Sequence, residues 1–350
     1  MPVKLSLLLP LLALISCFAS SNGNKEENQF PKIQSIKSQH ILKTESNIAS
    51  LHIQDSFLVL RHTQSSYDYL LSFVNLKSQA TDISFDKIKF GGDPGEVLSP
   101  LSCGLYSDSL FLVQDISSNK LVVFNLGKTP DKKAPTSYKE FNLPKFLYSM
   151  CLLDTALNVI ANGDNASLKE LQIITAKEGK IVKEFGEYSN ASSKETALEW
   201  KNKHESFLFI KPDGKKLVSA ARYTDQIELF DLVKHEKIKT VRGPDNFKPE
   251  LGYQSMGGFN KIIRNSKTRY AFLGGATTDN YIYLLYSGNK CEGPHQFYGN
   301  SIFIYRWNGA PVARLNLDKY VSSIAVSKDD KELYAVDPAG KQIIKSSIIL

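Results

Sequence analysis

Arg61, Arg222 and Tyr223 can donate hydrogen bonds, Asp115 and Asp337 can accept them, and Tyr253, Tyr286 and Trp307 carry flat aromatic faces. Mixed charge beside aromatic rings suits a sugar, a peptide or a segment of another protein. A second expectation stands beside this one: Arg61, Arg222 and Asp115 satisfy one another and internal waters, and Trp307 packs in the core. Asp115, Asn162, Asp164 and Asp337 form a different set, hard oxygen ligands that could hold calcium if the fold gathered them. Such a site would serve a metal-dependent hydrolase or lyase acting on a sugar or lactone, and calcium is the one cofactor the sequence suggests. Other catalytic constellations fail. There is no G-x-S-x-G elbow, and His40, His52, His62, His204, His235 and His295 give no H-E-x-x-H or H-x-H spacing. A non-catalytic binding or protein-interaction module is therefore the leading expectation, and the metal enzyme its alternative.

The ends of the chain set its address. Lys4 precedes an almost wholly apolar run from Leu5 to Ile15, too short to span a bilayer, which needs about 20 apolar residues. The run closes on Leu14-Ile15-Ser16-Cys17, which resembles the bacterial lipobox. Residues 1–16 then read as a lipoprotein signal peptide, and Cys17 as the lipid-carrying amino terminus that ties the protein to a membrane. Residues 17–31 are polar and rich in Ser and Asn, as a flexible tether should be. The expected location is the envelope of a gram-negative-type bacterium, periplasmic or surface-exposed. Cys103, Cys151 and Cys291 remain, and three thiols cannot all pair. Cys103 and Cys151 fall at matching places in successive repeats, with free buried thiols the expected state.

The chain has 350 residues, and 43 Lys plus Arg against 36 Asp plus Glu leave +7, scattered too evenly for a nucleic-acid footprint. A monomer is expected. Residues 32–350 read as one all-β domain. Runs of four to seven Val, Ile, Leu, Phe and Tyr recur between turn signals. The exception is residues 192–203, where Ser192 and Glu195 could form the capping box of a short helix. Each unit has an inner strand, a tight turn, an apolar strand, a polar loop, a third strand and a hairpin. The third strands close at Asn75, Asn125, Thr175, Asp231 and Arg306, with Ile344-Lys345 in that place in the last unit. Four-stranded units at this period are the mark of a β-propeller, here six-bladed. Too little chain follows the last third strand to build a fourth. The N-terminal strand, residues 33–42, is expected to close the ring.

Two stretches carry a family resemblance. Tyr305-Arg306-Trp307-Asn308-Gly309-Ala310-Pro311-Val312, followed by Leu317-Asp318, Ile324-Ala325-Val326 and Asp329 through Val336, resembles the C-terminal blades of the TolB-like six-bladed propeller lipoproteins. Gly91-Gly92-Asp93-Pro94-Gly95-Glu96 is similar to that family's Gly-rich approach to the second blade, with Asp93 where a Gly is usual. The resemblance implies fold and anchoring, and leaves activity open. In a propeller the second-to-third loops and the interblade connections share one face. That face would here hold Arg61, Asp115, Arg222, Tyr223, Tyr253, Tyr286 and Asp337, and the long excursions at 185–198, 243–261 and 288–300. Long loops of this kind mark it as the face for a protein, peptide or glycan.

Overall fold

The computed structural model describes residues 30–350 except 79–81, 107–108, 134–135, 145–146, 164–166, 176, 189–194 and 257–258. The expected signal peptide, Cys17, nearly all of the tether, Asp164 and Ser192 lie outside the described residues.

Six antiparallel units follow one another. Blade one comprises Ile48–Gln54, Phe57–His62, Tyr69–Asn75 and Ile83–Lys89, and blade two Pro100–Tyr106, Leu110–Asp115, Lys120–Asn125 and Ser137–Asn142. Blade three is Leu147–Leu152, Asn158–Gly163, Lys169–Thr175 and Lys180–Glu187; blade four is Ser206–Ile210, Lys216–Ala221, Gln226–Asp231 and Glu236–Arg242. Blade five holds Phe272–Thr277, Tyr281–Tyr286, Gly299–Arg306 and Pro311–Val321. Blade six takes Ile324–Val326, Glu332–Asp337 and Gln342–Ser347 from the C-terminus, and its outer strand, Gln39–Lys43, from the N-terminus. Each inner strand touches the next, and blade six touches blade one, so the ring is closed.

The second strands read as nearly continuous apolar runs because both faces of each sheet are covered by a neighbour. Leu58, Val59 and Leu60 are all fully buried, but Leu58 and Leu60 pack against blade six while Val59 packs against blade two. The same alternation builds a separate apolar layer in every seam. Between blades four and five, Phe303 stacks on Tyr286 with centroids 4.4 Å apart, beside Trp307, whose indole N–H donates to Thr278 O at 3.0 Å. Tyr286 and Trp307 are core residues. At about 1.5–3 kcal/mol per buried large side chain, these seams hold together sheets that could not stand alone.

Five details differ from the sequence reading. The N-terminal segment splits: Ile33–Ile36 runs parallel to Pro311–Val321 as a fifth strand of blade five, and only Gln39–Lys43 completes blade six. Phe30, expected in the tether, is buried against Phe303 and Tyr305. In the last unit the residue facing the start of the second strand is Ser347, pairing with Glu332 as Arg306 pairs with Tyr281, so the repeat landmark sits later than Ile344-Lys345. The helix covers Ala197–Lys203, and its capping box is Thr196 with Glu199, one turn beyond the expected pair. Cys103, Cys151 and Cys291 are free. Cys103 faces Val113 whereas Cys151 faces Ile160, one step out of register, which turns them to opposite sheet faces and into different seams.

Candidate functional site

Loops joining second to third strands and connections joining one blade to the next emerge on one face. Two insertions dock there over blade four. The capped helix carries Lys203, which pairs with Glu195 and lies 5.2 Å over the Tyr253 ring; the Tyr253 hydroxyl donates to Glu195 Oε1 at 2.7 Å. Tyr253 belongs to a hairpin of Gly252–Met256 and Phe259–Ile263 inside the connection to blade five. Trp200 stacks on His204 beneath the helix, and Asn202 donates to Tyr148 on blade three at 3.1 Å. The result is a braced ridge. Leu198, Ile263 and Phe297 on and beside it, and Leu98, Ile116 and Leu168 in other loops of this face, are each more than a third exposed. Exposed aliphatic and aromatic side chains held on rigid supports are what recognition surfaces require. The hairpins of the opposite face instead hold short-range ion pairs, Lys180–Glu178, Lys234–Glu236 and Lys331–Asp329, with N···O of 3.4–3.7 Å. These are solvated pairs of little energetic weight.

Asp115 and Asp337, the described acidic residues singled out by sequence, are occupied. Asp115 Oδ2 accepts from Leu98 N at 2.8 Å, and its Oδ1 from the backbone of Ser99, Ser117 and Ser118. It latches the second-to-third loop to the incoming connection. Asp225, which sequence did not single out, latches the second-to-third loop of blade four to the outgoing connection, accepting from Asp245 N and Asn246 N at 2.8 Å. Asp337 accepts from Gly340 N and Gln342 Nε2. Asn162 donates to Ser206 O at 3.0 Å and accepts from Ser149 N, joining blades three and four. Asp115, Asn162 and Asp337 sit in three different blades, and among the described residues no group of three or more His, Cys, Asp or Glu could hold a metal. The physical reason is local: a carboxylate beside a tight turn is within reach of backbone N–H groups that have no other partner.

The donors differ among themselves. Arg222 pairs with Glu205 at 2.9 Å and lies over Phe207. Tyr223 is buried beside Tyr270, and burial pushes its hydroxyl up to about 12. The Tyr286 hydroxyl donates to Asp245 at 2.5 Å. Arg61, unlike Arg222, has no acidic partner among the described residues; its Nε donates to Ser50 Oγ at 2.9 Å.

Two buried polar networks had no sequence signal. In blade one Ser72 donates to Asp86, so His62 Nε2 donates to Ser72 Oγ (2.6 Å) and His62 Nδ1 accepts from Ser46 (2.7 Å). Tyr67 stacks on the imidazole at 4.1 Å. Burial holds His62 down to about 4, so it stays neutral and acts as a brace between the incoming connection and the second-to-third loop. Between blades three and four, Lys237 binds both Glu170 and Glu228.

A family model described as TolB-like 6-blade propeller-like matches residues 29–329. No curated protein matches the sequence. Among solved structures the chain is similar to the RRP9 WD40 repeats, with a TM-score of 0.51 and 10% identity over 92% of this chain and 99% of that one. It is similar also to U3-55K, with a TM-score of 0.50 and 10% identity over 89% and 98%. Hydrazine synthase of Kuenenia stuttgartiensis matches with a TM-score of 0.47 and 13% identity over 88% and 97%. At such identities a shared fold is all that the first two establish.

Proposed function

The chain belongs to the TolB-like 6-blade propeller-like family, and on that premise we propose that it is a lipid-anchored binding module of a bacterial cell envelope. Its loop-rich face takes a protein, peptide or glycan partner without chemistry. The observation that carries this reading is the inequality of the two faces: one holds long insertions braced against each other, the capped helix Ala197–Lys203 and the hairpin of Gly252–Met256 and Phe259–Ile263, and the other holds short hairpins with solvated charge pairs. The same inequality argues against catalysis at the polar residues, whose carboxylates are committed to backbone amides.

Anchoring through Cys17 fits the topology. Ile33–Ile36 runs parallel to the outer strand of blade five, which climbs from the hairpin face to the loop face, so Phe30 enters at the hairpin side. Lys32 Nζ reaches Ile349 O near the C-terminus on that side. A polar segment of this composition, from Cys17 to Phe30, would reach about 20 Å as a random coil. It would hold the hairpin face toward the bilayer and present the loop face to the aqueous space.

The test is a double substitution, Leu198→Glu with Phe297→Glu. Both side chains are exposed, so the thermal midpoint should stay within about 2 °C of wild type. Recovery of envelope partners after crosslinking in intact cells should fall at least tenfold. Loss through Val233→Glu on the hairpin face instead would contradict the reading.

A further inference from the structure

We propose that Arg61 anchors a carboxylate of an extended acidic and apolar peptide segment laid across the loop-rich ends of blades one and two; this rests on the reading of that face as the recognition surface. The repeat exposes the anomaly. Arg61 is the next-to-last residue of its second strand, and Gln114 and Asn162 hold that place in blades two and three. Gln114 Nε2 donates to Leu147 O at 3.2 Å and Asn162 Nδ2 to Ser206 O at 3.0 Å, each reaching the first residue of the next blade's inner strand. Arg61 makes no such bond.

A second repeat fails at the same seam. Inner-strand serines staple neighbouring blades: Leu51 N donates to Ser323 Oγ, Met150 N to Ser102 Oγ and Leu208 N to Ser149 Oγ, at 3.1–3.3 Å. Ser50 is the counterpart in blade one, and its hydroxyl faces Arg61 Nε and His52 Nε2 instead, at 2.9 and 3.2 Å. Burial first, and the Arg61 charge second, hold His52 down to about 4, so the neighbouring ring is neutral, and with either of its tautomers the Ser50 hydroxyl keeps a lone pair for Arg61 Nε. The guanidinium is thereby fixed through Nε. Among the described residues its two Nη atoms have neither hydrogen-bond nor ion-pair partner, whereas Arg222 and Arg269 on the same face pair with Glu205 and Asp245, both at 2.9 Å.

A half-buried guanidinium oriented by one nitrogen, with its fork unpaired, matches a carboxylate. The surroundings narrow the ligand further. Burial first pushes the Cys103 thiol up, Arg61 pulls it down and Asp115 pushes it up, so a negative charge also flanks the seam and disfavours a dianion such as phosphate. Leu98, Leu101 and Ile116 of blade two are exposed beside it, and on the blade-one side an open depression of about 460 Å³ is lined by Gln64 through Tyr69. An open depression with a polar and aromatic lining on the blade-one side, exposed aliphatic side chains in blade two and one cationic fork suit a segment of chain better than an enclosed small molecule.

The experiment pans random twelve-residue peptides on the mature protein and measures the enriched peptides by calorimetry. Enriched sequences should carry Asp or Glu beside Leu, Ile, Val or Phe. Arg61→Gln, which installs the residue blade two carries in that place, should weaken them at least tenfold with the thermal midpoint unchanged. Amidating the peptide acid should cost as much, and no more when combined with Arg61→Gln. Arg61→Met gives a second reading of the same loss. Absence of enriched peptides, enrichment without acids, or equal binding to Arg61→Gln would overturn the anchor. Peptides indifferent to Arg61 but lost with Leu198→Glu and Phe297→Glu would sink the anchor and leave the face standing; peptides indifferent to every loop-face substitution would sink both.

Discussion

Removing residues 1–43 should abolish cooperative unfolding at ambient temperature, whereas removing residues 1–28 should leave the thermal midpoint where it is. The longer deletion takes away Gln39–Lys43, which pairs antiparallel with Gln342–Ser347 and supplies the fourth strand of blade six. It also removes Leu42 from the layer shared with Leu58, Leu60 and Ile343, and Phe30 from its place on Phe303 and Tyr305. Lost ladder bonds at ~1 kcal/mol each and three buried side chains, Phe30, Ile36 and Leu42, at ~2 kcal/mol each total on the order of 10 kcal/mol, comparable to the stability of a domain. The exposed edge of blade six would then be free to pair with other chains. Calorimetry and light scattering read both effects. A 44–350 chain that melts in one transition near the full-length midpoint would show that the ring does not depend on its N-terminal strand.

The second large effect concerns Lys237. Its ammonium sits between Glu170 and Glu228 and donates to Glu187 O at 2.7 Å, with side-chain exposures of 4% for Glu170, 10% for Glu228 and 15% for the lysine. Lys237→Met leaves two carboxyls facing each other in the seam, and removal of one partner from such a group costs about 3–5 kcal/mol. The triple substitution Lys237→Met, Glu170→Gln, Glu228→Gln should recover most of the loss, because no charge is left buried. Burial first, and then Glu228, push the Glu170 carboxyl up to about 10 against the pull of Lys237. The folded protein therefore holds a proton there that the unfolded chain releases above about 4.5. Stability should fall as pH climbs across that window. Glu170→Gln should flatten the fall. Urea titrations of the wild type and Glu170→Gln at pH 5, 7 and 9 measure it; equal slopes in the two would contradict the assignment.

The architecture was legible because it repeats. A polar residue closing each third strand recurs at the point where that strand faces the start of the second, from Asn75 opposite Phe57 to Arg306 opposite Tyr281. Periodic constraints leave periodic sequence. Local offsets were less legible: Thr196 and Ser192 are equally good caps three residues before a Glu, and only the path of the chain over blade four decides between them. The site was legible by face rather than by residue. Asp115 and Asp337 look alike whether they await a ligand or close a turn, since both roles need an acceptor beside a loop. The Glu170 cluster left no trace because Lys237 stands 67 residues away on another blade. Arg61 stood out only once Gln114 and Asn162 showed what a polar residue in its place does in blades two and three; blades four, five and six carry Ala220, Leu285 and Val336 there.

The central claim is that recognition belongs to the loop-rich face. A photo-crosslinking amino acid placed singly at Leu198, Phe297, Val182 or Val233, all exposed, tests it most directly in intact cells. Discrete adducts from Leu198 and Phe297, and none from Val182 and Val233, are the predicted result. Adducts from Val182 and Val233 alone would contradict it.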